Sequence, residues 1–260
     1  MTAGPDRPAF LLVHGAWHGA WCWDAVRTAL AADGWRTHTV DLPSSAAHPD
    51  GAHPDGARPD GSHPDAARPA GLLEDADAIR DRLRRIDGPV VTVAHSYGGA
   101  PTTEAIAGAT NVVRAVYLTA FQLDVGESVF SFLGAPVPAD DTGRTPPNAD
   151  ARRLHYTGVP AAEADRALAR MTPQSVRSFT QPVTTAGWRT VPSSYIVCEH
   201  DRALEPSRQR ELAARADTVH RLPSGHAPFL SMPGELAALL GRIAGSAAPQ
   251  DADVPSDEGR

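Results

Sequence analysis

Residues 89–93, Pro-Val-Val-Thr-Val, run directly into Ala94-His95-Ser96-Tyr97-Gly98-Gly99. A short apolar run rich in β-branched residues reads as a buried strand. The small residues two before and two after Ser96 permit a turn so sharp that the serine side chain projects beyond the end of a sheet. The usual form of this nucleophile-elbow pattern is Gly-x-Ser-x-Gly, and here Ala94 takes the place of the first glycine, adding a single methyl group. A turn of this kind needs a strand before it and a helix after it, which restricts the chain to a sheet covered by helices. Taken alone, the hexapeptide also reads as a small-residue turn without chemistry, so the order of the other polar residues decides.

Apolar runs at 9–14, 36–41, 89–94, 112–118, 194–198 and 218–222 alternate with helical patterns at 23–33, 72–85, 97–108, 206–214 and 234–243. This alternation predicts an α/β fold, a mostly parallel sheet with helices on both faces. Gly34, Gly88 and Gly108 stand where helices are expected to stop. At 260 residues the chain suits one such domain, with its core predicted from 1–120 and 190–245. Three segments leave the pattern. From 48 to 71 a unit such as His53-Pro54-Asp55-Gly56-Ala57 recurs; proline every fifth residue forbids a helix, so a flexible solvated insertion is expected over 46–71. Its His and Asp residues are of metal-ligating type, but a repeat without fixed geometry does not make a metal site. Residues 121–189, with a short helical stretch at 161–171 and a second helix start at Thr172-Pro173-Gln174, read as a small lid inserted before the acid-bearing strand, and 246–260 as a disordered tail.

All 24 basic residues are arginine, so Schiff-base catalysis, a Ser-Lys dyad and a P-loop lysine are excluded. The net charge of −7 argues against nucleic acid or an anionic membrane as partner. Cys22 and Cys198 read as buried thiols of a reducing compartment. The N-terminal residues show no signal-peptide pattern and no apolar stretch approaches a membrane span, so a cytoplasmic protein is expected.

A serine hydroxyl needs a base in contact with it and a carboxylate to orient that base. Hydrolytic sites built on this elbow present nucleophile, acid and histidine in that chain order. Ser96 is followed by Asp201, just beyond the run Tyr195-Ile196-Val197-Cys198, and by His226 in Ser224-Gly225-His226. Both lie past strand-like runs, where sites of parallel sheets form. Glu199 and Asp124 are the other candidates for the acid. The developing oxyanion needs two donors: the N–H of Tyr97, after the nucleophile, and that of Ala16 in the loop His14-Gly15-Ala16-Trp17-His18, where Gly15 permits close approach.

Leu12-Val13-His14-Gly15-Ala16-Trp17-His18-Gly19-Ala20-Trp21-Cys22-Trp23, the Ala94 to Gly99 hexapeptide and Ser224-Gly225-His226-Ala227-Pro228-Phe229-Leu230 resemble the plant methylesterase and hydroxynitrile lyase branch of the α/β-hydrolases and its bacterial esterase relatives. The resemblance covers the chain apart from the repeat and the tail. It implies Ser96, Asp201 and His226 as catalytic triad and the amides of Ala16 and Tyr97 as oxyanion hole. The lyases of that branch carry a lysine after the catalytic histidine and a threonine in the first loop, where this chain has Ala227 and Gly15. The resemblance therefore implies cleavage of a small to medium carboxylic ester, without cofactor or metal. The expected partner is that small-molecule ester, with no nucleic acid and no membrane, in a monomer or a homodimer. The alternatives are lactone, thioester or cyclisation chemistry at the same site, or a low-turnover ligand-binding member of the fold.

Gly15, Trp17, His18, Phe121, Phe130 and Trp188 are the expected substrate contacts. Of the lid's large side chains, Phe121, Phe130, Phe132, Leu133, Tyr156, Met171, Phe179 and Trp188, about half are expected to line a pocket and half to form the lid's own core. His14 and His95 are expected to bond backbone groups and His200 to be exposed.

Overall fold

The computed structural model describes residues 7–45 and 69–246. Residues 46–68 of the expected insertion and 247–260 of the tail lie outside them. Six strands, β1 (Ala9–Val13), β2 (Thr37–Val40), β3 (Val90–His95), β4 (Val112–Leu118), β7 (Ser193–Cys198) and β8 (Thr218–Leu222), form one sheet in the order β2-β1-β3-β4-β7-β8. Every neighbouring pair in it is parallel. A parallel sheet must be covered on both faces, and the period of two in the central strands sorts their side chains accordingly. Leu11, Val13, Ala94, Tyr117 and Tyr195 join one buried cluster, and Phe10, Leu12, Val93, Val116 and Ile196 the other.

The first cluster is closed by helices α2 (Leu72–Arg84), α3 (Gly99–Ala105) and α8 (Pro206–Ala213), the second by α1 (Asp24–Ala32) and α10 (Pro233–Gly245). In α2 the buried positions Leu72, Ala76, Ile79 and Leu83 recur at helical spacing. Its start is fixed by Glu74, whose carboxylate accepts the Gly71 N–H at 2.8 Å. Gly34, at φ 76°, follows α1, where a side chain would strain the backbone. Cys22 and Cys198 are both buried free thiols. Among the described residues no helix is long and apolar enough to cross a membrane.

Between β4 and β7 lie α4 (Val129–Leu133), β5 (Arg144–Thr145), α5 (Ala151–His155), α6 (Ala161–Leu168), β6 (Gln174–Ser175) and α7 (Val176–Thr180), with β5 and β6 paired antiparallel. Of these, only α6 corresponds to the helix expected at 161–171; residues 174–175 form a strand and the second helix begins at Val176. This segment is tied to the loops after β1 and β2: Thr172 N–H donates to Trp17 O at 3.0 Å, and Ser175 N–H to Ser44 O at 2.9 Å. A four-residue helix, α9 (Pro228–Ser231), precedes α10.

Candidate active site

Ser96 follows the end of β3 at φ 51°, a left-handed conformation that is uncommon for a residue with a side chain. A single 3-10 turn, Ser96–Gly98, carries the chain into α3. The glycines that follow are required by crowding: a Cβ on Gly98 would lie 2.3 Å from the His14 carbonyl oxygen, and one on Gly99 2.8 Å from that of Phe121. Ala94 pairs with Val13 and Tyr117 on the neighbouring strands, and its methyl belongs to the core. The departure from Gly-x-Ser-x-Gly is thus accommodated before the chain turns.

Five strand ends converge here. His226, beyond β8, has Nε2 3.0 Å from Ser96 Oγ and Nδ1 2.7 Å from Asp201 Oδ2, which lies beyond β7. A carboxylate at Nδ1 assigns the ring proton there and leaves Nε2 to accept from the serine hydroxyl. Asp201 is 4% exposed. Burial pushes its pKa up, but the charge and hydrogen bond of His226, together with Thr119 and the Leu204 N–H, more than offset this and hold it below the usual carboxylate value. Thr119 Oγ1 donates to Oδ2 at 2.5 Å, and the Ala203 and Leu204 N–H groups donate to Oδ1 at 2.7 and 3.0 Å. Gln209 Nε2 approaches Oδ2 at 3.3 Å. The rival acids are elsewhere: Glu199 pairs with Arg221 and Asp124 with Arg189.

The loop after β1 is held by histidines. His14 Nδ1 donates to Gly15 O at 2.9 Å, while its Nε2 accepts the Leu42 N–H at 3.0 Å. His18 Nδ1 donates to Ala16 O at 2.8 Å, and its Nε2 accepts from the Tyr156 hydroxyl at 2.9 Å. His95 Nε2 donates to His226 O at 2.8 Å. His14 and His95 therefore bond backbone groups as expected, and His200 is exposed. The Ala16 N–H finds no acceptor among the described residues. The Tyr97 N–H lies in the opening turn of a helix, where donors lack an intrahelical acceptor. Both residues border the same cavity as Ser96 and His226.

That cavity has a volume of about 530 Å³. Trp17, Phe121 and Phe130 line it as expected, as do Leu133 and Phe179, while Phe132, Tyr156, Met171 and Trp188 do not. Three of the expected contacts, Gly15, His18 and Trp188, are not among the residues that line it. Gly15 lies behind the site, where a Cβ would meet His95 Nδ1 at 2.8 Å and Ser96 Cβ at 2.9 Å. Trp17, at φ 62°, directs its ring to the cavity, and His18 is buried behind it against Tyr156 and Phe229. Trp188 donates to Leu123 O at 2.8 Å and packs on the core. The sequence reading missed Thr119 and Gln209 beside Asp201, the buried Asp75 beneath Tyr97, and the cavity residues Thr145, Asn148 and His155. A threonine one residue past a strand end was the only local signal among them.

A sequence model described as the alpha/beta hydrolase family matches residues 10–239. Methylesterase 1 of Arabidopsis thaliana is 27% identical, the alignment covering 94% of this chain and 98% of the relative. The carbendazim hydrolyzing esterase of a Nocardioides species is 28% identical over 90% of this chain and 98% of its own. The crystal structure of a pyrethroid hydrolase from Sphingobium faniae superposes with a TM-score of 0.73, covering 92% of this chain and 98% of that one at 24% identity, a likeness of fold. With the family match spanning nearly the whole sheet and both ends of the site, the chain belongs to the alpha/beta hydrolase family.

Proposed function

We propose that the protein is a serine esterase that cleaves a small to medium, uncharged carboxylic ester through an acyl-enzyme, with Ser96 as nucleophile, His226 as general base and acid, and Asp201 as its orienting carboxylate. The observation that carries this reading is the pair of contacts made by one imidazole, 3.0 Å to Ser96 Oγ and 2.7 Å to Asp201 Oδ2. The esterases among the similar proteins support the same chemistry.

His226 Nε2 takes the serine proton as Oγ forms a bond to the ester carbonyl carbon. The carbonyl oxygen becomes an oxyanion facing the N–H groups of Ala16 and Tyr97, and each such donor is worth roughly 3–4 kcal/mol in comparable sites. Collapse breaks the bond to the alcohol oxygen, which receives the proton from His226. Water, deprotonated by the same nitrogen, then cleaves the acyl-serine and releases the acid. Segment 121–189 acts as a lid whose aromatic side chains hold the substrate's apolar body. Among the described residues no arginine lines the cavity, so a neutral ester is favoured over an anionic one. Ala227, buried after His226, supplies no cation for a departing cyanide, which disfavours lyase chemistry.

Turnover of p-nitrophenyl butyrate and labelling by a fluorophosphonate probe are both expected to disappear in Ser96→Ala. Persistence of either in the purified variant contradicts the assignment.

A further inference from the structure

The cavity lining differs in chemistry from segment to segment. Phe121, Val129, Phe130, Phe179 and Leu204 are apolar, while the wall contributed by 144–155 carries Thr145, Asn148 and His155 beside Leu154. His155 closes α5 and is 7% exposed. Its ring centroid lies 5.3 Å from that of His226 and 5.6 Å from that of Trp17. Its Nδ1 is buried and has no hydrogen-bond partner among the described residues.

The other histidines around the site make this unusual. His14 and His18 have both ring nitrogens bonded, and His95, which also keeps an unpaired Nδ1, faces Gly15 and does not border the cavity. Neither ring nitrogen of His155 has a hydrogen-bond partner among the described residues although the residue borders the cavity, so a ligand group that meets the ring displaces no protein partner. Burial, with His226 and His18 alongside, pushes the His155 pKa well below its ordinary value, so the ring is neutral near pH 7. A neutral imidazole donates from one nitrogen and accepts at the other, and a hydroxyl can answer either.

We infer that His155 is a specificity residue that hydrogen-bonds an uncharged hydroxyl substituent on the substrate, so that the preferred esters have an apolar body with one hydroxyl directed at the 144–155 wall. This rests on the ester-cleaving reading. It adds a polar subsite that the triad does not require.

The test compares methyl 3-phenylpropanoate with its meta- and para-hydroxyphenyl analogues. Wild type is expected to prefer one hydroxylated ester over the parent by about tenfold in kcat/KM, the effect of one buried hydrogen bond. That ratio is expected to fall to about one or below in His155→Phe and His155→Leu and to be partly kept in His155→Gln. A ratio of two rates on one preparation does not depend on the fraction folded. Calorimetric binding of the same three esters to Ser96→Ala and to its His155→Phe derivative gives the comparison without turnover, so a failed esterase reading and a failed subsite are distinguishable. An equal preference with and without His155, or no preference in wild type, overturns the inference.

Discussion

The Tyr97 hydroxyl donates to Asp75 Oδ2 at 2.5 Å, joining the residue after Ser96 to a carboxylate that is wholly buried in the first turn of α2. Asp75 Oδ1 also accepts the Ser44 N–H at 2.9 Å, and the Ser44 hydroxyl donates to Oδ2. Gln174 Nε2 donates to Ser44 Oγ at 2.6 Å, and its Oε1 accepts the Trp17 N–H at 3.2 Å. One buried chain of hydrogen bonds therefore ties Tyr97 to the backbone next to Ala16, across the two proposed oxyanion donors. Tyr97→Phe is expected to lower kcat about tenfold with little change in KM, and to cost about 1–3 kcal/mol of stability by leaving Asp75 short of a donor. Steady-state kinetics and denaturant unfolding check the two effects.

Burial raises the pKa of Asp75 to about 7 against the opposing hydrogen bonds of Ser44 and Tyr97. A folded-state pKa above the unfolded one means that the native state holds this proton more tightly. The resulting stability is full below the unfolded value near 4 and is lost as pH rises through about 7. Asp75→Asn removes this titration. The variant is expected to gain stability relative to wild type, on the order of a few kcal/mol, between pH 4 and pH 8. Urea midpoints across that range measure it, and parallel pH profiles for the two proteins contradict it.

Among the carboxylates, Asp201→Asn is expected to lower kcat by roughly 10³–10⁴-fold, because the amide no longer fixes the His226 tautomer. Glu199→Gln and Asp124→Asn, each paired with an arginine away from the cavity, are expected to stay within about twofold. Initial rates on p-nitrophenyl butyrate rank the three, and a different order moves the role of the acid.

Gly15→Ala is expected to reduce kcat/KM by about 100-fold or more, since the new methyl must displace either the His95 ring or Ser96 itself. Gly108→Ala provides the contrast. At φ 75° with nothing within 4 Å of its Cβ position, its effect falls on stability alone.

The six strands and the core helices were legible because hydrophobic period and glycine stops are local signals. Ser96, Asp201 and His226 were legible because a parallel sheet brings strand ends to one edge, so residues just past apolar runs meet whatever their separation. Asp75 was hidden. An acid in the first turn of a helix reads as an ordinary complement to the helix dipole, and only the packing of α2 against Ser44 and Tyr97 buries it. His155 and Asn148 lie in a segment of short helices without a sustained period, so their side-chain directions could not be read. His18 and Trp188 failed for a different reason. Nearness to a site along the chain does not fix where an aromatic or imidazole side chain points: His18 is held by Ala16 O and the Tyr156 hydroxyl, and the Leu123 carbonyl holds the Trp188 indole.

Ester cleavage through a covalent acyl-Ser96 intermediate is read out by intact-protein mass spectrometry after acid quench during turnover of p-nitrophenyl butyrate. A butyryl adduct is expected within the first turnover, mapped to the peptide containing Ser96 and absent from Ser96→Ala. Steady hydrolysis with the adduct on another residue, or surviving in Ser96→Ala, would contradict it.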